Sequence, residues 1–188
     1  RPQPTDGDDP KLYSVPHLAP YIQRIPQAVI AAVNGVAAGA GLSIALASDI
    51  RIASEVARFS CLFIKRSLVP DAGASYTIAA VAGLGVAAEM ALTGGIYNAE
   101  WAYRVGLVNR LVPADKLMDE ARSLGEEIAS NPPLCVKATK HLLYSYGPEI
   151  GNLVEVELEA NAPMNGSEDK REAVLSFVEK RAPVYKGR

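Results

Sequence analysis

The chain is poor in the residues that build cross-links and metal sites. Its 188 residues include two cysteines, Cys61 and Cys135, and two histidines, His17 and His141. Neither cysteine belongs to a C-x-x-C pair. That excludes a disulfide framework and a zinc-ligand spacing, and it suits a reducing compartment such as the cytoplasm. The histidines are too few and too scattered to assemble a metal cluster. A surplus of charge is missing too. Nineteen Lys and Arg against 21 Asp and Glu leave a net charge of −2. No basic run with interleaved aromatics occurs, so neither nucleic acid nor an anionic membrane surface is an expected partner. Residues 29–47 carry no formal charge, close to the ~20 residues a bilayer span needs. Asn34, Ser43 and three glycines interrupt that run, however, and Asp49 and Arg51 follow it. No membrane span is expected.

What is present has the balance of an ordinary globular chain, with 49% hydrophobic and 21% charged residues, rather than that of a disordered one. The sequence opens at Arg1 with a polar, proline-rich stretch, RPQPTDGDDP, that has no apolar signal core. The expectation is a chain that begins partway through a longer protein. Residues 1–20 read as loop because Pro2, Pro4, Pro10, Pro16 and Pro20 block regular structure. YIQRIP reads as the end of a helix closed by Pro26. AVIAAVNG (28–35) is a β-branched apolar run bounded by Pro26 and Gly35, a strand buried on both faces. DIRIAS (49–54) and ARFSC (57–61) read as further strands.

The pattern then turns helical. DAGASYTIAAVAG (71–83) starts with an aspartate in N-cap position, LGVAAEMALTG (84–94) ends at Gly94, and NAEWAYRVG (98–106) has Asn98 as cap and Gly106 as stop. LVNRLVP (107–113) reads as a strand. Four helices are expected after it, over 114–130, 133–146, roughly 148–163, and from SEDKREA onward. Ser167 and Lys170 leave the capping box of the last one incomplete. LVEVELEANAPM sets Leu153, Val156 and Leu158 among acidic residues as an apolar stripe. Strands alternating with helices, then helices alone, predict an α/β core over 1–113 and a helical region over 114–188.

The most unusual stretch is VAAGAGLSIALASDI (36–50). Gly39-Ala40-Gly41 between a strand and a helix suggests a dinucleotide fingerprint, but the third glycine position holds Ile44. No Gly-Lys-Ser/Thr follows, which excludes a Walker A loop. A nucleophile elbow around Ser43 would need glycine where Ala45 stands. What remains is physical. Small residues let the helix start approach another backbone closely. They also leave its first N–H groups bare at the positive end of the dipole. Such a turn can receive a developing negative oxygen.

The run IPQAVIAAVNGVAAGAGLSIALASDIRIAS, with ARFS, LVPDAGASY, ALTGGIYNAEWAYRVGLVNRLVP and SEDKREAVLSFVEKRAPVYKGR in order behind it, resembles the crotonase superfamily, the enoyl-CoA hydratases and isomerases. The likeness covers nearly all of residues 21–188 and implies a spiral of ββα units with a C-terminal helical oligomerisation region. It implies an acyl-CoA thioester substrate, no cofactor beyond the coenzyme A of that substrate, no metal, and a homotrimer or hexamer. In the family the middle residue of the glycine turn gives one backbone N–H to an oxyanion hole. The corresponding residue is Ala40, flanked by Gly39 and Gly41. The family's second donor comes from an earlier A-F-x-A-G-x-D segment that this sequence does not contain, so the core is expected to be N-terminally incomplete.

Hydratases of the family use two glutamates, one to activate water and one to protonate the α-carbon. The corresponding positions hold Ser43 and Phe63, which are not carboxylates. Asp71 in LVPDAG matches the acid/base position of several isomerase branches, and the AAGAG turn is similar to that of the ring-epoxide isomerase of phenylacetyl-CoA catabolism. The resemblance therefore implies a double-bond isomerase with Asp71 as its one acid/base. A hydratase using another group and a non-catalytic acyl-CoA-binding member are the alternatives. By pattern alone Asp71 reads as a helix N-cap. Tyr76 either lines the acyl pocket with Ser43 and Phe63 or packs in the core. Lys186 meets a CoA phosphate or stands in solvent. Glu89, Glu100 and His141 read as solvated helix positions.

Overall fold

A computed structural model describes residues 14–145 and 150–186. The loop expected over residues 1–13, the expected helix joint at 146–149 and the side chain of Leu153 lie outside the described residues. Six strands and nine α-helices order the rest. Strand β1 (Ile30–Val33) turns at Asn34-Gly35 into β2 (Val36–Ala38), which delivers α2 (Ala40–Ala47). The next turn of chain repeats the unit. Strand β3 (Ile50–Ser54) leads into β4 (Arg58–Ser60), a 3-10 turn (Leu62–Arg66), α3 (Ala74–Ala82) and α4 (Leu84–Thr93). Then β5 (Tyr97–Asn98), α5 (Ala99–Arg104) and β6 (Arg110–Val112) follow.

Each unit contributes one strand to each of two sheets. One sheet has the order β1-β3-β6 and is parallel throughout, with Ile30 opposite Ile50 and Ile52 opposite Arg110. The other has the order β2-β4-β5, with Val36 opposite Arg58 in a parallel pair and Phe59 opposite Tyr97 in an antiparallel one. Because β1 stacks on β3 while β2 stacks on β4, successive ββα units wind as a spiral. Between the sheets and helices α2–α5 sits the main core, including Leu42, Leu46, Phe59, Ile78, Met90 and Leu107. A smaller cluster of Ile52, Leu117 and Leu124 seals the outer face of the parallel sheet under α6 (Leu117–Ala129).

Several sequence expectations are corrected. β1 is half-buried along its whole length rather than fully buried, because among the described residues only β3 pairs with it. The strand expected over 107–113 shrinks to Arg110–Val112; Leu107 and Val108 are buried in the approach to it. Helix α1 (Leu18–Arg24) begins inside the stretch read as loop, since Pro20 falls in its first turn, where a missing N–H is no loss. β2 and the 3-10 turn had no sequence signal, being too short to show a period. Asn98 caps α5 as expected, accepting from Trp101 N–H at 2.8 Å, and Ser167 caps α9 (Glu168–Glu179) through Lys170 N–H at 3.0 Å.

A buried polar knot anchors helix α7 (Pro133–Ser145) to the core. Asp49 accepts from Val29 N–H at 2.7 Å, Lys140 Nζ at 2.8 Å and Tyr144 O–H at 2.8 Å. Lys140 also donates to the carbonyls of Ile22 and Gln27. Removing one member of a buried ion pair strands the other, at about 3 kcal/mol or more. Lys140→Met is therefore expected to lose about 3 kcal/mol in urea unfolding. A loss below about 1 kcal/mol would make the pair no stronger than a surface one.

Candidate active site

The site is built where β2 and β4 end side by side. Gly39 turns the chain from β2 into α2 with φ +55° and ψ −125°, a backbone state that an L side chain rarely adopts. Its N–H is spent on Ser60 O at 3.1 Å. Gly39 thus supplies conformation and no free donor. Ala40 and Gly41 follow as the first residues of the helix, where an N–H has no intrahelical acceptor. No side chain caps this end. The sequence dictates that outcome: alanine, glycine and leucine offer the first turn no oxygen, so its N–H groups stay available at the positive end of the helix. Gly41 is exposed and Ala40 half-buried.

Ser43, one turn on, is fully buried. Its hydroxyl lies 3.3 Å from Gly39 O and 3.1 Å from Asp71 O. One side chain therefore bridges the glycine turn to the loop that carries Asp71. Phe63 is buried in the 3-10 turn, and its ring faces the Gly39 Cα, 4.0 Å from where a Cβ would stand. At this position an aromatic ring forms an apolar wall beside the helix start. Tyr76 is half-buried in the first turn of α3. Lys186 is exposed and pairs with Glu168 at 3.4 Å. Glu89, Glu100 and His141 are exposed.

Asp71 does not cap α3. The helix starts at Ala74, three residues later, and has Gly73 at its cap with no local side-chain bond. The intervening chain is left-handed twice, at Ala72 (φ +52°) and Gly73 (φ +79°). The first turn of α3 is satisfied from a distance instead. Glu157, buried on α8 (Ile150–Asn161), accepts from Gly73 N–H at 2.8 Å, from Ser75 N–H at 3.0 Å and from the Ser75 hydroxyl. One turn further along α8, Asn161 accepts from Val69 N–H at 3.0 Å and donates to Val69 O at 3.3 Å. Two side chains of one helix thus clamp both ends of the loop 69–75. Neither residue had a sequence signal. The buried face of α8 is Val154, Glu157 and Asn161, whereas the expected stripe residues Val156 and Leu158 are exposed.

Freed of capping, the Asp71 carboxylate is half-buried, and its buried Oδ1 has no hydrogen-bond partner among the described residues. Burial first, and the negative charge of Glu157 second, raise its pKa above the ordinary carboxylate range. Cys61, fully buried just after β4, lies within electrostatic reach of the same two carboxylates. Its thiol is pushed up to about 12 by burial, then by Asp71 and Glu157, so it stays a neutral wall rather than a nucleophile. Among the described residues no cluster of His, Cys, Asp or Glu suits a metal ion, and no helix is long and apolar enough to cross a membrane.

The family described as enoyl-CoA hydratase/isomerase matches residues 11–188. The chain belongs to that family. It is 35% identical over 161 residues to a short-chain-enoyl-CoA hydratase of Clostridium acetobutylicum, covering 85% of this chain and 62% of that one. It is 34% identical over 168 residues to a 1,2-epoxyphenylacetyl-CoA isomerase of Escherichia coli, covering 89% and 64%. Its fold superposes on the crystal structure of an enoyl-CoA hydratase from Mycobacterium avium subsp. paratuberculosis with a TM-score of 0.87 and 34% identity, covering 92% of this chain and 70% of that one. The ββα spiral is therefore the crotonase fold. The chain spans less than two thirds of the length of these two curated relatives.

The raised pKa has a consequence for stability. The folded chain holds the Asp71 proton more tightly than the unfolded chain does, so stability declines as pH rises through the window between the two pKa values. Asp71→Asn is neutral at every pH. It is expected to melt above the parent at pH ~7, with the difference closing as pH falls below the unfolded aspartate value of ~3.9. Calorimetry across that range checks this, and a variant melting below the parent at neutral pH would reject it.

Proposed function

We propose that the protein is an acyl-CoA isomerase that moves a double bond from the β,γ to the α,β position, or carries out a related ring isomerisation, with Asp71 as its single acid/base. The observation that carries this reading is the unspent carboxylate. Asp71 caps nothing, its Oδ1 is unpartnered among the described residues, and it lies on a loop joined through Ser43 to the bare helix start at Ala40. The relatives carry both hydratase and isomerase names. Isomerase is favoured because Ser43 and Phe63 occupy the positions of the two hydratase glutamates, and neither can deprotonate water.

The chemistry requires two things of the chain. The thioester carbonyl oxygen of the substrate gains negative charge when the α-proton leaves, and the Ala40 N–H donates to that oxygen at the positive end of α2. Asp71 takes the α-proton, and the C–H electron pair spreads over the dienolate. The same carboxyl group then returns the proton at the γ-carbon, leaving the double bond between α and β. A raised carboxyl pKa suits both halves, because a base of moderate strength gives a conjugate acid able to reprotonate carbon. The apolar ring of Phe63 keeps water from a second role at the same face.

The decisive measurement is exchange of the substrate α-proton in deuterated water together with isomerisation of a β,γ-enoyl-CoA. Asp71→Asn is expected to lower both by about 10²–10⁴-fold while acyl-CoA binding persists. Activity within a factor of about two of the parent would remove Asp71 from the chemistry. Absence of exchange in the parent would favour a binding protein without catalysis.

The helical region is proposed to assemble the protein as a trimer or hexamer. Apolar side chains exposed on both helices support this reading, Leu134, Leu142 and Leu143 of α7 and Phe177 and Val178 of α9, since an interface would cover them. Light scattering at micromolar concentration should find a trimer or hexamer, and a monomer would overturn the proposal.

A further inference from the structure

We infer that Glu157 is a positioning residue of this site: its carboxylate takes over the capping of α3, which leaves the Asp71 side chain free and sets it against a fixed neighbouring charge. The inference rests on the reading of Asp71 as acid/base. Its geometric basis is the three bonds that Glu157 accepts from Gly73 N–H, Ser75 N–H and the Ser75 hydroxyl. Both oxygens act only as acceptors, the role of an ionised carboxylate. A buried carboxylate without such donors would be costly. With them it is fixed in place, two residues along the chain from Asp71 at its nearest bond. A local cap would have used Asp71 itself, the residue type that helix starts prefer. By supplying a remote cap, α8 separates the structural requirement from the chemical one.

The titratable groups coupled to Asp71 among the described residues are Glu157 of α8 and Cys61 at the end of β4. The Cys61 thiol is neutral below about 12, so the charge that Asp71 meets is that of Glu157. This gives Glu157 a signature that a purely structural residue lacks. Asn161 grips the same loop at Val69 without carrying charge, and it serves as the comparison.

The experiment is the pH profile of kcat/KM for a β,γ-enoyl-CoA in the parent, Glu157→Gln, Glu157→Asp, Asn161→Ala and Ser75→Ala, with folding checked by circular dichroism. The acid limb, which reports the free base, is expected to move to lower pH in Glu157→Gln because the repelling charge is gone. It should stay with the parent in Glu157→Asp, which keeps the charge, and in Asn161→Ala, whose kcat falls through a loosened loop. Ser75→Ala, at an exposed position, removes one neutral donor but leaves the Glu157 charge and its two backbone bonds in place, so its limb should stay with the parent. Glu157→Met, similar in size and without charge, reads the same shift where Glu157→Gln does not fold. An acid limb at the parent position in either uncharged variant that folds would overturn the role of Glu157. Full activity in Asp71→Asn would instead overturn the reading on which it rests.

Discussion

Glu157 meets the backbone of Gly73 and both the backbone and hydroxyl of Ser75, and much of the site geometry depends on that contact. The loop before α3 passes through two consecutive left-handed residues. One of them is Ala72, whose Cβ makes that conformation unfavourable by roughly 1–2 kcal/mol. Such a backbone persists only when its surroundings over-determine it. Here they do, because Ala72 is fully buried and the flanking residues Val69 and Gly73 are each bonded to α8. Strain is thus held in the loop between Asp71 and the helix it precedes.

The candidate site joins a helix start with no side-chain cap to a loop whose carboxylate caps no helix. Ser43 lies between them, with its hydroxyl in reach of Gly39 O and Asp71 O. A hydroxyl in that place is small enough for the closely packed α2, whose buried face is Leu42, Ala45, Leu46 and Ala47. Such a contact relates the position of the helix start to that of the loop carrying Asp71.

The buried charged groups elsewhere among the described residues are engaged. Arg51, nearly fully buried, donates to Leu107 O at 2.9 Å and Ser48 O at 2.6 Å. Asp49, Lys140 and Tyr144 satisfy one another. These groups join strand to loop and helix to core, and they have the partners that buried polar groups require. Among the described residues the buried side-chain atoms without a hydrogen-bond partner are Ser60 Oγ, Asp71 Oδ1 and Thr77 Oγ1; Asp71 is the carboxylate of the three, and an unsatisfied buried polar group calls for an explanation that a role in chemistry supplies.

The sequence alone determined the elements whose signals are local. Proline and glycine punctuation placed the ends of β1, α4 and α5. Alternating units of strand and helix specified an α/β core, and the uncharged glycine turn at 39–41 identified a helix start that nothing local could cap. Only the tertiary structure decided which side chain caps the start of α3. A glutamate on an acidic-looking helix reads as solvated, because hydrophobic periodicity counts apolar residues and is blind to a buried carboxylate whose donors lie more than eighty positions away in the chain. For the same reason Asp71 looked like a cap. The preference for aspartate at helix starts is a local rule, and whether the cap is taken locally or supplied by a distant residue depends on contacts that exist only after the chain has folded.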